Sequence, residues 1–138
     1  MITIDWYGSG LSGQIYKADS GSLTPILDIP MPHSLGMFYA QVTRALGFKI
    51  SRHEGKILGL AAYGKESMLS YWLEKQFIFD GKTIRFKNSF ANNTLAKYQF
   101  LLFGRENMAF AYQKVLENVS TKLVDHYLKQ EQMSHLAL

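Results

Sequence analysis

The chain contains no cysteine among its 138 residues, so disulfides and thiolate metal sites are excluded, and a reducing cytoplasm is the expected compartment. It has three prolines, and two of them, Pro30 and Pro32, stand together where one structural regime gives way to another. No apolar run approaches the ~18 residues that span a bilayer, and the opening MITIDWYGSG lacks the basic and apolar regions of a leader peptide. Charge of either sign is sparse and scattered: fifteen basic against eleven acidic residues give a formal +4. Nucleic-acid binders cluster such charge and interleave it with aromatics, so no nucleic acid and no membrane are expected as partners. Histidine is thin as well. His33, His53, His126 and His135 show no ligand spacing, so no metal is assigned to the chain's own residues, and the last two read as surface side chains.

What the sequence does have is apolar residues, at 47% with 14% aromatic, enough for a packed core in one domain or part of one. Strands are predicted at Met1–Ile4, Leu11–Tyr16 and Leu23–Ile29. The turns between them are Asp5–Gly10 and Asp19–Ser22, giving an antiparallel meander over 1–32. The period then changes. Leu35, Phe38, Tyr39, Val42, Ala45 and Leu46 recur at helical spacing, with Ser34 or His33 as cap and Gly47 as stop. A short apolar stripe of Ile57, Leu60, Ala61 and Tyr63 and a helix over Ser67–Lys75 complete a helical region, 33–75. Phe77–Phe79, Asp80-Gly81 and Thr83–Phe86 predict a hairpin within 76–87. Asn88–Thr94 reads as an irregular loop. Met108, Ala111, Tyr112, Val115, Leu116, Val119, Leu123 and Tyr127 share one face of a long helix, about 106–129 within a segment 105–130. Ser134–Leu138 looks like an opening strand. The fold class is α/β, or α+β for a piece in isolation: a three-stranded antiparallel meander followed by helices.

Three stretches carry the functional signal: DWYGSGLSG, PHSLGMFYAQVTRALGF and EGKILGLAAYGK. In order and spacing they resemble the O-carbamoyltransferases of the nodulation-protein and antibiotic-tailoring type. Those read aspartate-glycine-x-glycine-acidic-glycine at the first stretch, then histidine-serine-leucine-glycine, then E-G-K-x-x-G-L-A-x-Y-G. The resemblance implies an actin-like, sugar-kinase-like ATPase architecture similar to the tRNA threonylcarbamoyl-transfer proteins. It also implies a parent enzyme that makes carbamoyl-adenylate from carbamoyl phosphate and ATP and passes the carbamoyl group to the hydroxyl of a small-molecule acceptor. A metal ion, iron or Mg, belongs to that parent. On this reading residues 1–138 are the opening part of the second lobe. The chain would then be inactive alone, with no cofactor of its own and with sheet edges free for self-association. The alternative is a non-catalytic nucleotide-binding or assembly module of the same fold.

Asp5 sits where such folds face a carboxylate toward phosphate or metal across a glycine turn, and Gly8 and Gly10 would let backbone N–H groups approach phosphate. Trp6 and Ser9 depart from the family pattern at a glycine and an acid. Ser34 and Gly36 open a helix whose N-terminus favours an anion, although plain capping by Ser34 explains the serine equally. Glu54 and Lys56 are the candidates for lining an acceptor or nucleotide cleft. Against that stands a packing role: Gly55 permitting a tight backbone, Gly59 and Ala61-Ala62 letting the short helix press against the Gly36 helix, and Gly64 supplying a left-handed stop. Tyr39, Phe110 and Tyr112 read as core aromatics.

Overall fold

A computed structural model describes residues 1–87, 93–132, 135 and 137. The meander forms as β1 (Ile2–Gly8), β2 (Leu11–Asp19) and β3 (Ser22–Pro30), ordered β1-β2-β3 and antiparallel throughout. Both hairpins close through two residues at positive φ: Ser9 and Gly10 at 53° and 84°, Ser20 and Gly21 at 47° and 85°. Such loops match the right-handed twist of the flanking strands. The first turn is therefore only Ser9-Gly10, because Gly8 already pairs with Leu11. Asp5–Tyr7, predicted as turn, lie within β1 at a shift of register between Ile4 and Gly8, and bulges of this kind re-aim side chains near strand ends.

A 3₁₀ turn (Met31–His33) leads from the sheet into α1 (Leu35–Ala45). Gly47 at φ 78° ends that helix. Its N–H donates to the Arg44 carbonyl at 3.0 Å and the Phe48 N–H to Thr43 at 3.0 Å, the paired bonds of a Schellman stop. Next come α2 (Glu54–Ala61), α3 (Met68–Glu74) and the hairpin β4 (Phe77–Phe79) with β5 (Ile84–Phe86). The chain closes with α4 (Asn93–Phe103) and α5 (Arg105–Gln130). Helix α5 is the spine: all eight residues on its predicted apolar face are buried except Leu116, which is partly so. Phe38 of α1 meets Tyr112 of α5 and the Phe77–Phe86 pair of the hairpin, joining three elements in one aromatic cluster.

Three expectations shift. The predicted loop at Asn88–Thr94 lies outside the described residues up to position 92, and Asn93 and Thr94 open α4. That helix buries Ala96 and Gln99 yet leaves Leu95, Tyr98, Leu101 and Leu102 exposed. With apolar residues on both sides it shows no clean helical stripe in sequence. His126 is not a surface side chain: it is partly buried, its ring edge-on to Phe79 at 5.0 Å. Tyr63, placed on the α2 stripe by spacing, is 80% exposed. Of the C-terminal segment, His135 and Ala137 are described, and the Ala137 carbonyl accepts the Ile2 N–H at 2.9 Å on the outer edge of β1.

Candidate functional site

Asp5 is exposed near the end of β1, and its Oδ1 accepts the Trp6 N–H at 2.6 Å. This local bond fixes the carboxylate beside the strand end. Around Gly8 and Gly10 an added Cβ would meet nothing within 4 Å, so the hairpin tip stands in open space. Next to it, Asp5, Trp6, Tyr7, Met31 and Met37 line an open groove of about 540 Å³, within the size range of small-molecule sites. One carboxylate against an indole, a phenol and two thioethers makes this groove mainly apolar, with a single anionic corner.

The start of α1 is locked to β1. The Ser34 Oγ accepts the Met37 N–H at 3.0 Å as an N-cap. It also sits 2.7 Å from the Trp6 carbonyl and 3.1 Å from the Asp5 carbonyl, sharing its one proton between them. The near side of Gly36 is filled by β1 itself: a Cβ there would lie 2.6 Å from the Trp6 Cα and 2.7 Å from its nitrogen. Ser34 and Gly36 thus hold the strand end and helix start in register and thereby set the groove's geometry. Ser34→Ala should remove the cap and leave two strand carbonyls unpaired, losing about 2 kcal/mol from a cap of ~1 kcal/mol and a buried acceptor of similar size. A urea midpoint lowered at constant slope is the expected readout.

His33 completes this corner. Its Nδ1 accepts the Phe86 N–H at 3.2 Å. Burial, assisted by the Arg85 charge, holds its pKa below the ordinary histidine value, so the neutral ring that can accept is the favoured form. The cap is Ser34, while His33 ties the 3₁₀ turn to β5.

Lys56 lies at the other end of α1, while Glu54 stands close enough to Tyr39 for its charge to act there. Eleven helical residues separate the Ser34 end of α1 from its Phe48 end, about 16 Å at 1.5 Å per residue. Glu54 opens α2, and its Oε1 accepts the Ser51 N–H at 2.5 Å, a carboxylate at the favourable end of a helix. Lys56 extends over the Phe48 ring, its Nζ 5.7 Å from the centroid. On the inner side, Tyr39 donates to Gln113 at 2.5 Å. Burial, with the Glu117 and Glu54 charges adding to it, pushes the Tyr39 pKa up to about 12.

The glycines of EGKILGLAAYG divide differently from their sequence reading. Gly55 and Gly59 face open space. Gly64 has no positive φ and is no left-handed stop. It is the point of closest approach to α5, where a Cβ would overlap the Glu106 carbonyl and come within 2.6 Å of the Phe110 Cβ. Helix α2 packs chiefly against α5, not against the Gly36 helix. Arg105, which sequence reasoning passed over, is the notable addition: its guanidinium carbon stands 5.2 Å from the same Phe48 centroid as Lys56. Only the packing of α2 on α5 reveals it, since 49 positions separate the two cations. Among the described residues no three His, Asp or Glu side chains gather as a metal cluster, and no helix is long and apolar enough to cross a membrane.

A family model described as the carbamoyltransferase N-terminus matches residues 1–137. The uncharacterized protein MJ1051 of Methanocaldococcus jannaschii is 29% identical over 137 residues, covering 91% of this chain and 26% of that protein. The uncharacterized protein sll1178 of Synechocystis sp. is 32% identical over 74 residues, or 54% of this chain and 12% of that protein. The chain therefore spans about a quarter or less of these relatives' lengths.

Proposed function

Because the chain belongs to the carbamoyltransferase N-terminus family, we propose that it supplies one lobe of an ATP-dependent O-carbamoyltransferase of the actin-like type. Water would split carbamoyl phosphate into carbamate and phosphate, and a carbamate oxygen would attack the α-phosphorus of ATP with loss of pyrophosphate to give carbamoyl-adenylate. The oxygen of an acceptor hydroxyl, losing its proton, then attacks the carbonyl carbon as AMP departs. The observation that carries this reading is the family match running from residue 1 to residue 137, with the β1–β2 hairpin of the first motif held open beside a ligand-sized groove.

Within that reaction the chain's own residues take limited parts. The Ser9-Gly10 tip, with Gly8, offers backbone N–H groups to phosphate where no side chain interferes. Asp5 presents its free carboxylate oxygen to a phosphate-bound cation or to a polar group of the acceptor. Ser34 and Gly36 position both by clamping strand to helix. An iron or Mg ion would find one carboxylate at this groove, so the rest of its ligands would have to come from outside the described residues, and no step is assigned to it. The groove has walls from β1, the 3₁₀ turn and α1 only. On this reading the chain is inactive alone and works in the cytoplasm as part of a longer protein.

The test is carbamoyl-phosphate-dependent release of AMP from ATP, run on this chain and on the longer protein that contains it. AMP release by the longer protein, dependent on an acceptor and absent from the chain, is the expected result. ATP binding by the longer protein without such release would favour the second reading, a non-catalytic nucleotide-binding or assembly module. Trp6 and Ser9 motivate that alternative: the tryptophan narrows the approach to the strand end, and the serine removes an acid that could serve as base or metal contact.

A further inference from the structure

We propose that the exposed junction of α1, α2 and α5, where Lys56 and Arg105 converge on Phe48, binds a phosphate-type anion. The two cations lie 5.7 and 5.2 Å from one ring centroid, so their charges are no more than about 11 Å apart, within a Debye length at physiological salt or close to it. Elsewhere among the described residues a ring carries one cation: Lys75 stands over Tyr71, and Lys114 over Phe110. Lys114 is also paired with Glu66. No described ion pair joins Lys56 or Arg105 to a carboxylate. The closest acidic residue in sequence to Lys56, Glu54, already has one oxygen on the Ser51 N–H.

The surroundings add room and charge of both signs, with Lys49 and Arg52 on the basic side and Glu54 and the exposed Glu106, next to Arg105, on the acidic side. The turn between α1 and α2 carries exposed Lys49 and Arg52, and its fold is pinned by the Lys49 N–H donating to His53 Nδ1 at 3.1 Å. His53 in turn stands edge-on to Phe48 at 6.2 Å. Phe48 is partly buried against the core, so the platform under both cations is fixed rather than a loose side chain. On α2, Gly55 and Gly59 leave the space flanking Lys56 clear of any Cβ. Two like charges held over one ring repel each other, and a dianion between them reverses the sign of that interaction. An arginine fork with a lysine point charge is the pairing that recognises phosphate oxygens. Lying about 16 Å along α1 from the hairpin groove, this is a separate site, and the inference does not rest on the transferase reading.

The test uses the chain alone with pyrophosphate as probe at low ionic strength, followed by backbone amide shifts, and involves no turnover. Failure here is therefore distinguishable from failure of the AMP-release assay. Saturable binding is expected, with the largest shifts at Phe48, Lys56 and Arg105. Lys56→Gln and Arg105→Gln should each weaken it at least tenfold, with Arg105→Lys recovering part of the loss. Lys129→Gln, on a distant exposed helix end, should change it less than twofold. Because all three positions are exposed, the fold should survive each change. Shifts spread evenly over the basic residues without saturation, or an equal loss in Lys129→Gln, would overturn the proposal.

Discussion

Gly64→Ala is expected to destabilise the fold by about 3 kcal/mol, the upper part of the range for overpacking. The added methyl meets backbone: it overlaps the Glu106 carbonyl and comes within 2.6 Å of the Phe110 Cβ. Neither atom is the yielding end of a flexible side chain, so the segment after α2 must move away from the start of α5. That movement also pulls the Lys65 N–H from the Asn107 Oδ1, now 2.9 Å apart, and loosens the packing of α2 on α5. Gly59→Ala supplies the contrast within the same motif. Its methyl meets nothing within 4 Å, and the exchange removes a helix-interior glycine, so a gain of about 0.5–1 kcal/mol is expected. Urea midpoints at constant slope would separate the two. Equal losses at Gly59 and Gly64 would sink the close-approach account. Against a net stability on the order of 5–15 kcal/mol, a 3 kcal/mol loss would be plain in any unfolding curve.

That pair of glycines also shows which parts of the sequence were legible. Wherever one face of an element meets one core, spacing sufficed. The meander, α1, α3, the Asp80-Gly81 hairpin and α5 all appear within a few residues of their expected bounds. Misreadings came where a residue's role depends on something far off in the chain. Nothing local tells Gly64 from Gly59, since the difference is the Glu106 carbonyl, 42 positions away. Helix α4 was missed because its two apolar sides cancel the amphipathic signal that marks a surface helix. Asp5–Tyr7 looked like turn because aspartate and glycine bracket them, yet pairing with β2 and the register shift carry the strand to Gly8.

The candidate site follows the same rule. Asp5, Gly8, Gly10, Ser34 and Gly36 gather at one strand end because β1 and α1 meet there, and motif order alone placed them together. Lys56 belongs to the same run of motifs and yet stands over Phe48, past the far end of α1. Sequence adjacency of motifs carries no information about which end of an intervening helix each will face. Arg105 was invisible for the converse reason: a lone arginine after a glycine has no pattern, and its partner on Phe48 is supplied only by α2 packing against α5.

Phe38→Ala should have the largest effect of all, about 4 kcal/mol. The side chain is fully buried. It stacks on Tyr112 with centroids 4.6 Å apart and planes at 19°, and meets Phe77 edge-on at 5.1 Å. Each aromatic pair adds about 0.5–1.5 kcal/mol beyond area burial. The cavity would open where α1, α5 and the β4–β5 hairpin meet, and that hairpin has only three residues in each strand. A two-stranded ribbon so short is not stable unaided; Phe77 and Phe86 packing against Phe38 supply its aromatic anchor, beside the Tyr127 hydroxyl on the Lys82 carbonyl and Phe79 against His126. The loss should therefore be uneven. Amide protection at Phe77–Phe86 should fall further than in α5, and the melting temperature should drop by roughly 15 °C. Phe38→Leu fills most of the volume without the ring stack, so a cost of about 1.5 kcal/mol is expected there. Uniform loss of protection across hairpin and α5 would instead mean that the aromatic cluster is not what fastens the hairpin. In that case His33, through its bond to the Phe86 N–H, would be left as the principal tie between the hairpin and the strand end that carries Asp5.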